Sequence, residues 1–409
     1  MESAAEACGR PVLNHVRTES ALPTPDADER AHSAALAASI RAEIAERGAI
    51  PFARYMELCL YAPGLGYYSA GRTKFGAAGD FTTAPELGSL FARSIARALA
   101  PTLRELGADA DFVELGGGSG AFAVAALHEL AALDAAPRRY RILEPSADLR
   151  ERQRSRATQE LPSEWAARVD WIERPPESDW RGVLFANEVV DALPATRFAI
   201  LEGEVFEECV ALDGERFVRV DRPADALVAA AVREVERSLD APFADGYRSE
   251  ILPQLPYWLQ AIGGSLAAGA MLFVDYGYPR REFYLPQRSD GTLVCHYRHR
   301  AHADPLHWPG LEDITAFVDF SALAAAGVGA GFDLVGYAPQ ASFLLASGLP
   351  DLIVEANPAS ELEHIRLVAE LKRLTLPGDM GERFQAIAFA RGVEQVPAGL
   401  RASAHSRRL

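Results

Sequence analysis

The residues of this sequence that could do chemistry begin with a glycine-rich turn. Glu114 ends an apolar run, and Gly116, Gly117, Gly118 and Gly120 follow it within six positions. Glycines directly after such a run let backbone N–H groups approach a ligand closely, and the helix that follows points its N-terminus at the same place. The turn therefore predicts a binding site for a nucleotide-like cofactor.

The glycine pattern fits two classes of cofactor equally well. Residues 116–121 satisfy G-x-G-x-x-A, with which dinucleotide-binding folds hold a pyrophosphate. Together with Glu114 they also satisfy E-x-G-x-G-x-G, the pattern with which methyltransferases approach S-adenosylmethionine. Glu144 ends a second apolar run 24 residues beyond Gly120, where an acid accepts hydrogen bonds from a ribose. Both cofactors carry a ribose, so these residues leave both open.

A third apolar run ends in an amide and two carboxylates, Asn187, Glu188 and Asp191. Ligands of open α/β sheets bind at the carboxyl ends of the strands. Hydride transfer has no evident use for these groups, whereas methyl transfer to a nitrogen does, because an acceptor can orient the N–H groups of the attacking atom. If the segment is helical, Glu188 and Asp191 lie on one face. The simpler alternative is a helix N-cap followed by an exposed acid.

Four of the nine histidines, His296, His299, His302 and His307, lie within twelve positions. No cysteine or carboxylate ligand pattern accompanies them, and two interleaved arginines would repel a cation. We therefore predict no metal site here and favour a segment that contacts the substrate.

A mostly parallel sheet with crossover helices must position these groups, because short apolar runs alternate with helical segments from Asp111 onward. The predicted fold class is α/β, with strands at residues 112–115, 140–143, 169–172, 183–186, 271–275, 333–336 and 385–390. Ahead of this sheet, apolar spacing predicts one helix from Ser33, a short one from Pro51 and a long one from Pro85.

Changes of pattern divide the chain into five parts. Residues 1–32 and 393–409 are predicted to be disordered tails, 33–108 a helical region with a loop that covers the cofactor, 109–195 and 250–392 the core, and 196–249 an inserted α+β subdomain. Within the core, residues 276–320 are predicted to be a long irregular stretch that acts as a lid.

Composition excludes several classes of function. The 409 residues carry a net charge of −16, which argues against wide contact with nucleic acid. The four cysteines stand far apart, a spacing that suggests neither a disulfide framework nor a zinc knuckle. No apolar run is long enough for an integral membrane segment. The first 30 residues are too acidic for a secretory signal or a transit peptide, so we expect a cytoplasmic protein.

Seven blocks recur here in a familiar order. They are YAPGLGYYS (61–69), GAAGDFTTAPE (76–86), ELGGGSG (114–120), LEP (143–145), ANEVVDALP (186–194), VDYG (274–277) and DITAFVDF (313–320). Together they resemble the MidA-like family of S-adenosylmethionine-dependent methyltransferases, over most of residues 35–392. Phe317 stands where that family usually carries a histidine.

The resemblance implies a class I methyltransferase (Rossmann-like) sheet with S-adenosyl-L-methionine as cofactor. Mitochondrial members of the family are assembly factors for respiratory complex I, which implies arginine methylation of a protein substrate such as a complex I subunit. The implied cofactor residues are Glu114, Gly116, Gly117, Gly118, Gly120, Glu144, Asn187, Asp80 and Thr82, the last two from a loop that closes over the cofactor. Glu188 and Asp191 would fix the guanidinium, since its planar fork matches carboxylates.

Two alternatives remain beside the methyltransferase. One is an NAD(P)-dependent oxidoreductase, and the other is a non-enzymatic assembly chaperone that keeps the fold and binds a partner through the inserted subdomain and the lid. The sequence leaves the oligomeric state open.

Overall fold

Helices and strands alternate along most of the chain in this computed structural model, which describes residues 22–70, 83–397, 399–401 and 404–409. The N-terminal part contains α1 (Ala27–Arg47), β1 (Ile50–Pro51), α2 (Phe52–Tyr61), α3 (Ala84–Leu87) and α4 (Leu90–Leu106). The first half of the core contains β2 (Asp111–Leu115), α5 (Ala121–Ala132), β3 (Tyr140–Leu143), α6 (Ala147–Glu160), α7 (Ser163–Ala166), β4 (Val169–Ile172) and β5 (Trp180–Asn187).

The second half of the chain first leaves the core and then returns to it. The excursion contains β6 (Thr196–Leu201), β7 (Glu204–Asp213), β8 (Arg216–Pro223), α8 (Ala226–Arg237) and β9 (Arg248–Ile251). The remaining elements are α9 (Leu255–Gly263), β10 (Leu266–Tyr278), α10 (Arg280–Phe283), β11 (Val294–Tyr297), β12 (Arg300–His302), β13 (Asp313–Thr315), β14 (Val318–Asp319), α11 (Phe320–Gly329), β15 (Asp333–Pro339), α12 (Gln340–Ala346), α13 (Leu349–Glu355), α14 (Glu361–Thr375), α15 (Met380–Arg383) and β16 (Phe384–Arg391).

The central sheet has the strand order β15-β16-β10-β5-β2-β3-β4, and the short β14 pairs with the end of β10. The five strands from β10 to β4 are parallel, whereas β16 runs antiparallel to both β10 and β15. Every residue of β2 is buried, as expected for a parallel strand covered on both faces. The predicted mostly parallel α/β sheet is confirmed.

Two apolar cores, one on each face, hold the helices against this sheet. On one face, Phe91 of α4 and Phe122 of α5 pack on Phe185 of β5, and the rings of Phe122 and Phe185 stack at 4.3 Å. On the other face, α9 and α11 supply Leu259 and Leu323. Because the five strands are parallel, their carboxyl ends meet at one edge, and the side chains that follow them converge there.

Two predicted helix boundaries were wrong. Helix α1 begins at Ala27 and not at Ser33, because Asp26 and Glu29 form a reciprocal capping box, so the N-terminal tail cannot extend to residue 32. The long helix predicted from Pro85 is interrupted at Gly88, where the Glu370 carboxylate occupies the space of a side chain and accepts a hydrogen bond from Leu90 N at 2.6 Å.

The excursion from the core forms a sheet of its own, with the order β1-β7-β6-β9 and β8 paired to β7. β1 lies in the N-terminal region, so the part predicted as a separate insertion shares its sheet with the residues that precede the core. Arg197 lies at its centre, 1% exposed, and forms ion pairs with the buried carboxylates of Glu208 and Glu250.

Residues 276–320 are not irregular as predicted. They contain a small sheet with the order β12-β11-β13, whose Cys295, Tyr297 and Ile314 are buried. The prediction failed because strands of three or four residues are too short to show an alternating pattern.

The C-terminal segment is also more ordered than predicted. Leu400 is fully buried, residues 404–408 form a 3-10 turn, and Ser406 Oγ accepts a hydrogen bond from Tyr337 N of β15 at 3.0 Å. Contacts with β15 therefore order part of a tail that has no regular apolar spacing. Among the described residues, no helix is both long and apolar enough to cross a membrane.

Candidate active site

A cavity of about 1020 Å³ opens at the carboxyl edge of the central sheet. Its wall includes the ends of β2, β3, β5 and β10 together with the small sheet β12-β11-β13. The predicted site residues in its lining are Glu114, Gly116, Gly117, Gly118, Glu144, Asn187, Glu188 and Asp191. Asp80 and Thr82 lie outside the described residues.

The glycine turn between β2 and α5 is left-handed at three positions. Gly116, Gly118 and Gly120 have φ angles of +67°, +51° and +83°, which favour glycine. A Cβ on Gly118 would meet no atom within 4 Å, so this glycine faces the open cavity. Gly120 does not line the cavity, because a Cβ there would lie 3.3 Å from Gln153 Cα of α6. The last glycine thus allows close helix packing.

Glu144 lies at the end of β3, only 5% exposed, on the cavity wall. Its Oε1 accepts from Ser146 N at 2.9 Å and its Oε2 from Gln153 Nε2 at 3.3 Å. Gln153 also donates to Gly118 O at 2.9 Å and accepts from Trp171 Nε1 at 2.8 Å. This buried glutamine fixes the acid relative to the glycine turn. The sequence gives no signal for this residue because α6 is largely polar and has no strong apolar face.

Glu114 is almost fully buried where β2 ends in the cavity. Burial raises the pKa of its carboxyl to about 8, and the hydrogen bond from Tyr140 OH at 2.8 Å opposes that rise. A ligand group that donates a hydrogen bond or carries positive charge would favour the ionised form.

The end of β5 places Asn187 and Glu188 on the cavity wall. Glu188 has a φ of +52°, rare for a residue with a side chain, and Asn187 Nδ2 donates to Glu188 Oε1 at 3.0 Å. Among the described residues, Asn187 Oδ1 is buried without a hydrogen-bond partner, which leaves an acceptor for a ligand. Burial, and then the negative charges of Asp191 and Asp313, raise the pKa of Glu188 to about 8.

Asp191 reaches the same cavity from a turn, not from the helix that the i, i+3 spacing had suggested. Asp275 at the end of β10 holds this turn, because its Oδ2 accepts from the backbone N–H groups of Val189, Val190 and Asp191 at 3.0 to 3.3 Å. Tyr276 OH donates to Asp191 Oδ2, while Asp191 Oδ1 is buried and has no hydrogen-bond partner in the part of the chain that the structure describes.

Burial raises the pKa of Asp191 to about 6, opposed by the hydrogen bond from Tyr276. Asp275, which is fully buried beside Asp191, has its pKa raised further above the usual value, again mainly by burial. The edge of β5 and β10 therefore holds a group of acids that a cation would stabilise in their ionised form.

Aromatic side chains close the cavity above these acids. Tyr61 and Tyr68 stack at 5.6 Å, and Tyr68 OH donates to Asp313 Oδ1 at 2.8 Å. Phe317 packs edge-on against Tyr276 at 5.0 Å and lines the cavity. The position where the resembled family usually carries a histidine is thus part of an aromatic wall.

Two of the four clustered histidines, His296 and His302, line the cavity. Burial lowers the pKa of His296 to about 4, so its imidazole is neutral near pH 7. His299 lies in the exposed turn between β11 and β12. The expected contact between this segment and a substrate is compatible with the positions of His296 and His302.

Similarity to known proteins identifies the class of ligand that this cavity binds. The model of a family described as "Putative S-adenosyl-L-methionine-dependent methyltransferase" matches residues 94–338. The chain belongs to this family. Its structure is similar to that of a Burkholderia thailandensis protein described as a "likely methyl transferase" and bound to S-adenosyl-homocysteine, with 43% identity, a TM-score of 0.89 and coverage of 95% of this chain and 100% of that one.

Curated relatives are more distant but cover most of the sequence. A Drosophila melanogaster protein named Protein arginine methyltransferase NDUFAF7 homolog, mitochondrial, is 29% identical over 90% of this chain and 88% of its own. The Homo sapiens protein named Protein arginine methyltransferase NDUFAF7, mitochondrial, is 28% identical over 85% and 81%.

These findings confirm the resemblance, the class of enzyme and S-adenosyl-L-methionine as cofactor. They favour the methyltransferase over the NAD(P)-dependent oxidoreductase. The cavity fits this cofactor: within the described residues, Gly118 leaves room for it, Glu144 offers a carboxylate for the ribose, and the Asn187 amide oxygen has no hydrogen-bond partner. The roles of single site residues stay predictions.

Proposed function

We propose that this protein transfers a methyl group from S-adenosylmethionine to a guanidinium nitrogen of arginine in a protein substrate. The observation that carries the proposal is that Glu188, Asp191 and Asp313 line one cavity. The negative charges of Asp191 and Asp313 add to the effect of burial in raising the pKa of Glu188. A planar cation with several N–H donors stabilises the ionised form of such acids. A guanidinium does so with two parallel N–H groups that match the two oxygens of a carboxylate. An arginine side chain suits this site better than a neutral alcohol or a phosphate.

The proton balance assigns a role to Glu188. S-adenosylmethionine supplies an electrophilic methyl group when bound. The accepting nitrogen forms a bond to carbon as the sulfur–carbon bond breaks, and it gives up one proton because methylated arginine remains a monocation. With a pKa of about 8, the ionised Glu188 carboxylate can take that proton near neutral pH, and Asn187 orients it through the 3.0 Å hydrogen bond.

The names of the curated relatives agree with an arginine acceptor. The respiratory complex I subunit implied by the resemblance remains a proposed partner. The cytoplasmic location remains a proposal as well, since these relatives are named as mitochondrial. Fractionation of cells that express the full chain tests the location, because a protein found only with organelles or membranes would contradict it.

The acceptor is tested with S-adenosylmethionine that carries a trideuterated methyl group. The chain is added to a protein extract from a strain without its gene, and peptide mass spectrometry locates the label. We expect labelled arginine with the native chain and none with Glu188→Gln. Label on lysine or histidine would contradict the arginine assignment. Absence of any label, with S-adenosyl-homocysteine still bound by calorimetry, would favour the assembly alternative without catalysis.

A further inference from the structure

The small sheet β12-β11-β13 brings a thiol, an imidazole and a carboxylate together on one face. Cys295 of β11 is paired with His302 of β12 and with Ile314 of β13. Residues directly opposite in antiparallel strands point to the same side, and Glu312 shares that side because it lies two positions before Ile314. One ligand atom from each of Cys295, His302 and Glu312 lies within 4.8 Å of the others.

These three side chains have few other partners. Cys295 is 0% and Glu312 1% exposed, and the His302 side chain is 13% exposed. His302 Nε2 approaches Glu312 Oε1 at 3.3 Å, but with the described residues neither the two carboxylate oxygens nor the two imidazole nitrogens form a hydrogen bond of good geometry. Burying an ionised carboxylate with only one such contact costs free energy of folding, and a bound cation would offset that cost.

We propose that Cys295, His302 and Glu312 bind one zinc ion, with a fourth position left for water or a further side chain. Thiolate, imidazole and carboxylate are the donors that zinc takes in proteins, whereas magnesium and calcium take oxygen ligands. The absence of a metal was predicted because no cysteine or carboxylate ligand pattern accompanies the histidines in sequence and because two interleaved arginines would repel a cation. The cross-strand pairing supplies both, from residues 7 and 10 positions away from His302.

The ion would connect the catalytic cavity to the N-terminal helices. Helix α2 packs on the metal-binding face of the sheet, and its fully buried Cys59 lies in the same apolar cluster as Cys295 and Ile314. The opposite face carries the paired His296 and Asp313, which line the cavity. His302 also lines the cavity and so gives an ion an access route. Zinc at this position would stiffen the wall that holds Asp313.

The metal content of the purified chain tests the proposal. The protein is expressed without an affinity tag in zinc-supplemented medium, in a Cys8→Ser background that removes the cysteine outside the described residues. Elemental mass spectrometry is expected to find about one zinc per chain. After removal of zinc by a chelator, cobalt(II) is expected to produce a thiolate-to-cobalt charge-transfer band in the near ultraviolet. The Cys295→Ser and Glu312→Gln variants should each bind at least about tenfold more weakly.

Two matched variants control for non-specific effects. Cys209→Ser removes another buried thiol, in the sheet of the excursion, and His299→Asn removes an exposed histidine of the same hairpin. Both should keep the zinc and the cobalt band. If Cys295→Ser does not fold, cobalt titration of the Cys8→Ser chain decides, because the band needs a thiolate. A chain without zinc and without the band, or equal binding by Glu312→Gln, would overturn the proposal and leave only a His302–Glu312 ion pair.

Discussion

Replacement of Glu188 by glutamine tests the proposed proton acceptor most directly. The substitution keeps the size of the side chain and an oxygen that can accept from Asn187 Nδ2, but it removes the charge and the titratable proton. A general base contributes about 10² to 10⁴ in rate, so we expect a loss of kcat in that range. Because neither the glycine turn nor Glu144 changes, affinity for S-adenosylmethionine by calorimetry should stay within about threefold of the native value.

The pH dependence gives a second, quantitative expectation. With a pKa of about 8, the ionised fraction of Glu188 rises from roughly one tenth at pH 7 to roughly nine tenths at pH 9. Arginine stays charged over this interval. Initial rates with both substrates far below their KM values report the free enzyme, and they should rise about tenfold between these pH values.

The sign of the effect on stability follows from the same pKa. Burial and neighbouring acids disfavour the ionised form of Glu188, so the folded pKa is raised from 4.5 to about 8. The free energy of unfolding should therefore be highest below pH 4.5 with respect to this group and should fall as the pH rises through 8. The difference between the native chain and Glu188→Gln, measured by chemical denaturation, isolates this contribution.

An exposed glutamate serves as the matched control. Glu177→Gln makes the same chemical change at a solvated position and should leave the rate and its pH profile unchanged. The mechanism would be refuted if Glu188→Gln kept more than about a tenth of the native rate, or if both enzymes showed the same rise with pH. Titration of the cofactor would appear in the pH–rate profiles of both the native chain and Glu188→Gln. The comparison therefore separates it from titration of Glu188.

Three further predictions concern other parts of the structure. Gly118→Val should abolish detectable calorimetric binding of S-adenosylmethionine, because the added side chain enters the cavity and the φ of +51° is unfavourable for valine. Tyr276→Phe should keep the ring packing but lower kcat by about tenfold, because a hydrogen bond to the buried Asp191 carboxylate is worth about 1.5 to 3 kcal/mol. Arg197→Met should reduce the free energy of unfolding by about 3 to 5 kcal/mol, because it leaves the buried Glu250 carboxylate without its arginine, whereas Glu208 keeps Arg248 at 3.3 Å.

Each of these has a result that would count against it. Native affinity in Gly118→Val would mean that the cofactor does not pass that glycine. A native rate in Tyr276→Phe would show that the tyrosine hydroxyl does not position the acid. For Arg197→Met, an unchanged midpoint in urea at pH 7 would mean that the Glu250 carboxyl is already neutral in the folded chain, in the direction in which burial raises its pKa. Val220→Ala, an apolar change on a half-buried strand of the same sheet, is the control for Arg197→Met.

Apolar runs in the sequence predicted the strands of the central sheet well. The predicted bounds of β3 and β4 agree with the structure, and β10 is longer at both ends than the predicted residues 271–275. Helix α6 and the strands β11 to β13 were missed, the first because its surface is largely polar and the others because they are very short. Helix α1 was predicted to begin six residues late, because its capping box lies ahead of the regular apolar spacing.

The sequence by itself determined the strands of the central sheet, the glycine turn and the acids at the ends of β2, β3 and β5. These features are local, because each depends on residue types within a few positions of one another. Only the tertiary structure decided that Asp275 accepts hydrogen bonds from the turn that contains Asp191. The same is true of the hydrogen bond from Tyr68 to Asp313. It also decided that Cys295 lies opposite His302. These pairs depend on strand register and on which face each side chain takes, and both are settled by packing between distant parts of the chain.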